Sequence, residues 1–153
     1  GSVANVPGVD RAWPVLNRLG GLHTGLYRRT GGRIGGRLPG IRAPILLLDH
    51  VGAKSGVRRT SPLLYVDDGV DLVIVASKGG FPKHPAWFHN LRAHPDTTVQ
   101  VGGEVRPVRA RLASAEERAR LWPKAVAEYP SYADYQRRTD REIPMVVLEP
   151  RSA

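Results

Sequence analysis

Residues 46–65 read LLLDHVGAKSGVRRTSPLLY, two apolar runs facing each other across a basic, glycine-punctuated turn. The turn carries Lys54, Arg58 and Arg59 together with the hydroxyls of Ser55, Thr60 and Ser61. Such a set suits phosphate, because cationic donors on a tight turn form short, charge-assisted hydrogen bonds. It is not a nucleoside-triphosphate loop. That loop needs glycine directly before the lysine and a helix after it, whereas here Ala53 precedes Lys54 and an apolar strand follows. Spacing alone leaves the turn evenly balanced between an anion site and a solvated hairpin tip.

Three other groups could carry chemistry. Ser77-Lys78-Gly79-Gly80 follows a strand end, where backbone N–H groups come free and glycine lets a flat ligand or an anion approach. As a lone motif it reads first as an ordinary loop. Tyr129, Tyr132 and Tyr135 recur every three residues, along one helical face or a turn leading into it. Their first reading is core packing with satisfied hydroxyls; the second is the wall of a pocket for an aromatic substrate, with a proton to donate. His84, His89 and His94 recur every five residues. On a helix that spacing turns successive rings about 140° apart, so they do not converge and no metal site is expected. There is no G-x-S-x-G elbow and no paired carboxylate, so hydrolysis by a serine triad or two carboxylates is not expected.

The elements that must position these groups follow from length and pattern. The 153 residues suit one domain with a real core. No stretch approaches the roughly 20 apolar residues of a membrane span, and the absence of cysteine excludes disulfides and thiolate metal sites. Short strands are expected at 45–48, 62–66, 71–76, 97–101, 104–111 and 145–149, with Gly102-Gly103 as a hairpin turn. Helical segments are expected at 86–93 and 131–138, and a capping box of Ser114 and Glu117 opens another. Pro123 is expected to end that helix and start a new one. The sum is an α+β domain, a mostly antiparallel, barrel-like sheet with interposed helices.

Net charge +9 and a pI near 10.6 imply an anionic partner. Seven arginines and no acid lie between Arg11 and Arg42, where Val15, Leu16, Leu19, Leu22 and Leu26 recur at helical spacing. A basic amphipathic helix of this kind can rest on an anionic membrane. The plainer reading is preferred, a helix docked on its own domain, because Gly20, Gly21 and Gly25 weaken a free-standing helix. Residues 1–40 are thus expected to form a basic N-terminal helix and glycine-rich linker, and residues 41–153 the barrel domain.

Taken together, the motifs G-A-K-S-G-V-R-R-T-S-P-L (52–63), A-S-K-G-G (76–80), P-A-W-F-H-N-L (85–91), W-P-K-A-V-A-E-Y-P-S-Y-A-D-Y-Q (122–136) and I-P-M-V-V-L-E-P (143–150) resemble the deazaflavin-dependent nitroreductase family. Members of that family bind coenzyme F-420, and the resemblance runs from about Trp13 to Pro150. It implies a split β-barrel related to the flavin-binding barrels. It also implies a cofactor built from a deazaflavin ring, a ribityl chain, a phospholactyl group and an oligoglutamate tail. This polyanion answers the charge excess. By resemblance, Lys54 and Arg59 bind the phosphate with Ser55 and Arg58 adjacent. Lys78, next to Gly79, meets the tail carboxylates. Pro62, Leu63, Ala76, Ser77, Trp87 and Asn90 frame the ring. Tyr129, Tyr132 and Tyr135 line the substrate space, with Tyr132 and Ser77 implicated in substrate binding and protonation. The implied reaction is hydride transfer from the reduced coenzyme to a quinone or another small electrophile such as a nitro compound.

Two alternatives stand beside this reading. One is an FMN-dependent split-barrel oxidoreductase, against which weighs a cationic excess near Lys54 larger than one phosphate requires. The other is a basic nucleic-acid-binding barrel. Such modules interleave exposed aromatics with basic residues on their strands; here tryptophans and most tyrosines fall in expected helices, so no specific nucleic-acid partner is expected. The expected location is cytoplasmic, with peripheral contact at the inner face of the membrane.

Overall fold

The computed structural model describes residues 24, 27–28, 44–80 and 83–152. Six strands alternate with three helices: β1 (Ile45–Val51), β2 (Arg58–Asp68), β3 (Asp71–Val75), α1 (Ala86–Ala93), β4 (Asp96–Val101), β5 (Glu104–Leu112), α2 (Ala115–Glu128), α3 (Ser131–Arg137) and β6 (Met145–Pro150). A single 3₁₀ turn, Lys78–Gly80, follows β3. The strands close into a barrel in the order β1-β2-β3-β6-β5-β4, every pair antiparallel. The shortest ladder closes it, with Leu47 opposite Gln100 and Leu48 opposite Val99.

Alternation along each strand sorts side chains to two faces. Inside, Leu46, Leu48, Leu72, Ile74, Val99, Val108, Val146 and Leu148 form one core, and Trp87, Phe88 and Leu91 of α1 pack into it. Outside, Val66, Val73, Val75, Met145 and Val147 are covered by Leu121 and Ala125 of α2 and Tyr132 of α3. A third cluster joins Tyr27 to Ile45 and Leu47. The Tyr27 hydroxyl donates to Gln100 O (3.2 Å) and accepts from Gly102 N–H (2.8 Å). Arg28 reaches Asp49 Oδ1 (3.2 Å) beside it. Tyr27 and Arg28, described residues of the N-terminal segment, thus contact the barrel. The rest of the expected basic helix and the linker lie outside the described residues.

The strand expectations hold in place and type, and the sheet is wholly antiparallel rather than mostly so. Strands β1 and β2 extend further toward the basic turn than the apolar runs indicated, because Asp49, His50, Arg59 and Thr60 pair across the ladder. Ser114 and Glu117 form the expected reciprocal capping box, and Arg111 grips the same carboxylate at 2.6 and 2.8 Å. The expected break at Pro123 does not occur, since α2 runs through it. Buried Leu121 and Ala125 hold the helix to the sheet on both sides of the proline. Lys124 donates to Asp67 O (2.6 Å), and Arg120 forks onto Asp68 (2.8 and 3.0 Å). The carbonyl that loses its helical donor belongs to Ala119, an exposed residue, so the missing hydrogen bond is outweighed by packing.

Candidate active site

Strand direction decides what meets what. Because all pairs are antiparallel, one end of the barrel gathers the C-termini of β1, β3 and β5 and the N-termini of β2, β4 and β6. The basic turn, the Ser77–Gly80 loop and the entries to α1 and β6 all lie there. Helix α1 connects β3 to β4 and plugs that end.

The turn is built locally. Gly52 N–H donates to Val57 O and Gly56 N–H to Gly52 O, both at 2.9 Å, while Gly56 takes φ 69°, where a side chain is disfavoured. Ser55 folds back, its Oγ accepting from Val57 N–H at 3.2 Å. Lys54, Arg58 and Arg59 are exposed, and among the described residues no carboxylate pairs with them. Their charges are thus not neutralised within the described residues.

Asn90 of α1 anchors this turn. Its Oδ1 accepts from Ala53 N–H (2.9 Å), and its Nδ2 lies 2.9 Å from His50 Nδ1. His50 Nε2 lies 2.9 Å from Ser61 Oγ. His50 is only 4% exposed, and burial, aided by the Arg59 cation, pushes its pKa below the ordinary histidine value. His50 was not singled out from sequence, and Ser61 only as one of the turn's hydroxyls. They are diagonal neighbours on one face of the β1–β2 ladder, His50 opposite Arg59 and Ser61 opposite Leu48, which shows only once the register is known.

The second group forms around the Ser77–Gly80 loop. Arg141 donates to Ala76 O (3.0 Å), Ser77 O (2.7 Å) and His84 Nδ1 (3.0 Å). It thereby ties the end of β3 to the approach of α1. Lys78 adopts φ 44°, the one positive φ outside glycine among the described residues. Such backbone costs energy and persists only where its surroundings hold it. Gly80, at φ 80°, lies against α3 so closely that a Cβ would sit 2.8 Å from Tyr135 O. Arg141 too was missed, because nothing local in T-D-R-E-I-P distinguishes it.

The tyrosines gather as expected, though not on one helix: Tyr129 ends α2, and Tyr132 and Tyr135 belong to α3. Ring centroids of Tyr129 and Tyr132 are 4.9 Å apart, those of Tyr132 and Tyr135 6.5 Å. The hydroxyls of Tyr129 and Tyr135 meet at 3.0 Å. Burial and that bond push Tyr135 up to about 12. Burial likewise raises Tyr132, which is 5% exposed and whose hydroxyl has no hydrogen-bond partner among the described residues.

Other nominated residues are placed differently. Ala76 is fully buried, and its N–H and C=O are taken by Pro144 and Arg141. Trp87, 7% exposed, is mostly core. Pro62 and Leu63, being adjacent in a strand, face opposite sides of it: Leu63 packs on the inner core, and Pro62 sits opposite outward-facing Leu47. Only His89 of the three histidines is helical; His84 precedes α1 and His94 follows it. The helical divergence expected for all three therefore does not apply, and the His84 and His89 rings approach to 5.7 Å between centroids. An open cleft of about 310 Å³ between α1 and strands β5 and β6 contains none of the nominated residues.

The comparisons decide the family. The model of the F420H(2)-dependent quinone reductase family matches residues 20–150. The chain belongs to that family. It is 47% identical to an F420H(2)-dependent quinone reductase of Mycobacterium tuberculosis over 134 residues, 85% of this chain and 89% of that protein. A solved F420-H2 dependent reductase, FDR-A, shares 48% identity at TM-score 0.64, covering 69% of this chain and 94% of its own. A solved domain-swapped dimer shares 39% identity at TM-score 0.67, over 88% and 98% of the two chains. At 12% identity and TM-score 0.54, over 71% and 82%, the heme storage protein HutZ of Vibrio cholerae shares the fold alone. This F420H(2)-dependent quinone reductase family member is thus an α+β split-barrel oxidoreductase whose cofactor is coenzyme F-420.

Replacing Gly80 by alanine should destabilise the protein by about 2 kcal/mol, since the new methyl must enter a positive-φ position against the α3 backbone. Urea denaturation measures this, and an unchanged midpoint would show that the loop is not fixed by α3.

Proposed function

We propose that the protein reduces a quinone using coenzyme F-420 held by the basic turn, with Lys54 and Arg59 on the phosphate, Ser55 and Arg58 beside it, and Lys78 toward the tail carboxylates. The observation that carries this assignment is the exposed cationic turn, whose charges no described carboxylate neutralises. A phosphodiester with an oligoglutamate tail fits that donor set. A single phosphate leaves cations uncompensated, which disfavours FMN.

When bound in its reduced form, the coenzyme supplies a hydride. The chain's own work is to bind, orient and protonate. Leu63 and the α1 side chains Trp87 and Asn90 offer an apolar and amide-lined wall for a flat ring. Ser77, held through its carbonyl by Arg141, fixes the loop beside it. Tyr132 carries its proton at neutral pH, as a phenol ordinarily does, and burial disfavours the phenolate further. Its unpartnered hydroxyl is therefore available to donate to the oxygen of an acceptor as negative charge develops there. Tyr129 and Tyr135, bonded to each other, shape the space around it.

Removing the charge of Lys54 or Arg59 should weaken coenzyme binding by about 1.5–3 kcal/mol each, the range for hydrogen bonds to charged groups. Fluorescence titration reads this, and unchanged affinity in both variants rejects the assignment. Tyr132→Phe should leave coenzyme affinity nearly intact and lower turnover of a menaquinone analogue; equal turnover would remove the proposed proton donor.

A second proposal, peripheral contact at the inner face of the cell membrane and hence a cytoplasmic location, rests on charge: seven arginines and no acid between Arg11 and Arg42. No described helix is long and apolar enough to cross a membrane. Flotation with vesicles containing anionic lipid should carry the full chain upward and lose it at about 0.5 M salt; no flotation at low salt would end this idea.

A further inference from the structure

We propose that His50 is a positioning residue of the coenzyme site, occupying one lone pair of the Ser61 hydroxyl and leaving its proton to donate to an acceptor oxygen of the bound coenzyme. The inference rests on the reading that Arg59 and Leu63 flank the coenzyme, and it assigns a role to a buried titratable group which the mechanism above leaves unused.

The polarity of the chain of contacts is set at one end by a backbone group. Ala53 N–H can only donate, so the Asn90 atom it meets at 2.9 Å is the carbonyl oxygen. The other end of that carboxamide is then the NH₂ group, which also can only donate. His50 Nδ1, 2.9 Å away, must therefore be the bare, accepting nitrogen. A neutral imidazole carries its proton on the other nitrogen, so Nε2–H donates to Ser61 Oγ at 2.9 Å. The serine accepts there, and its own proton is left over. Among the described residues no acceptor takes that proton.

Position says what the proton is for. Arg59, Ser61 and Leu63 share one face of β2, because alternate residues of a strand point the same way. Ser61 thus stands about 7 Å from each along the strand, between a cationic end and an apolar one. It is partly exposed, and its free donor suits a carbonyl, hydroxyl or phosphoryl oxygen lying between a phosphate and a ring.

Protonation of His50 would undo the arrangement. The new Nδ1–H would oppose the Asn90 NH₂, loosening both the serine and the anchor of the turn at Ala53. The charged groups acting on His50 are Arg59 from β2, which disfavours the proton, and Asp49 from β1, which favours it. Asp49 is itself engaged by the Thr60 and Thr98 hydroxyls at 2.7 and 2.8 Å and by Arg28. Helix α1 contributes neutral Asn90.

The test has two readouts. In the coenzyme-free protein, long-range ¹H–¹⁵N correlation of the imidazoles should show His50 as the Nε2–H tautomer at pH 7, still neutral at pH 6.5. Fluorescence titration with coenzyme F-420 from pH 8 to pH 5 then compares the wild type with His50→Gln and Ser61→Ala. Glutamine offers an acceptor toward Asn90 and a donor toward Ser61 but cannot titrate, and its profile records the coenzyme's own ionisation. The wild type should lose about tenfold more affinity than His50→Gln on acidification, and Ser61→Ala should bind about tenfold more weakly at pH 7.5, in keeping with one lost hydrogen bond. An Nδ1–H tautomer, parallel pH profiles, or Ser61→Ala binding like the wild type would overturn the inference. If His50→Gln does not fold, the tautomer and the serine variant decide it. Failure of the wild type to bind the coenzyme at any pH would overturn the proposed function instead, and the tautomer would still report on the relay.

Discussion

The side chain of Asn90 is the contact on which the rest of the site depends. One end of it accepts from the Ala53 N–H of the turn, and the other reaches a buried histidine. Removing it would leave the Ala53 N–H and the His50 ring nitrogen without partners, and unsatisfied polar groups in such places are costly. Through this one carboxamide the basic turn is fixed to α1, and α1 is fixed by Trp87, Phe88 and Leu91 in the barrel core. The cations of the turn thereby acquire a defined place instead of a hairpin tip's freedom.

Arg141 performs the matching task on the other flank. Its guanidinium forks across two successive carbonyls and a histidine nitrogen, a geometry that lysine cannot copy. With Gly80 pressed against α3 on the opposite side, the Ser77–Gly80 loop is held from both directions, and the positive φ of Lys78 is tolerated. A loop and a turn held in place at the same end of one barrel would lower the ordering cost of binding the coenzyme at the proposed site.

The barrel explains why so few residues serve both core and site. Inward-facing Leu63 and, from α1, Trp87 pack with the inner core. The tyrosines belong instead to the outer layer, where α2 and α3 cover β2, β3 and β6. The proposed coenzyme and acceptor contacts would therefore be drawn from different layers, with the loop after β3 between them.

Much of this was legible in the residue order. Alternating apolar positions and a Gly-Gly turn gave the strands, Ser114 and Glu117 gave a helix start, and the excess of arginine pointed to an anion. Separated motifs in the right order carried the family and its coenzyme. These are local or cumulative signals, and each survives without knowledge of the fold. What the chain order could not disclose was contact between distant segments. The passage of α2 through Pro123 depends on packing to either side of it. The opposite facing of Pro62 and Leu63 depends on register. The roles of His50, Asn90, Ser61 and Arg141 depend on hydrogen bonds spanning from 11 to 65 residues. Sequence by itself determined that this is a basic split-barrel reductase; only the closed barrel decided which polar groups meet, because hydrogen bonds demand about 3 Å and a direction, and neither is written in spacing along a chain.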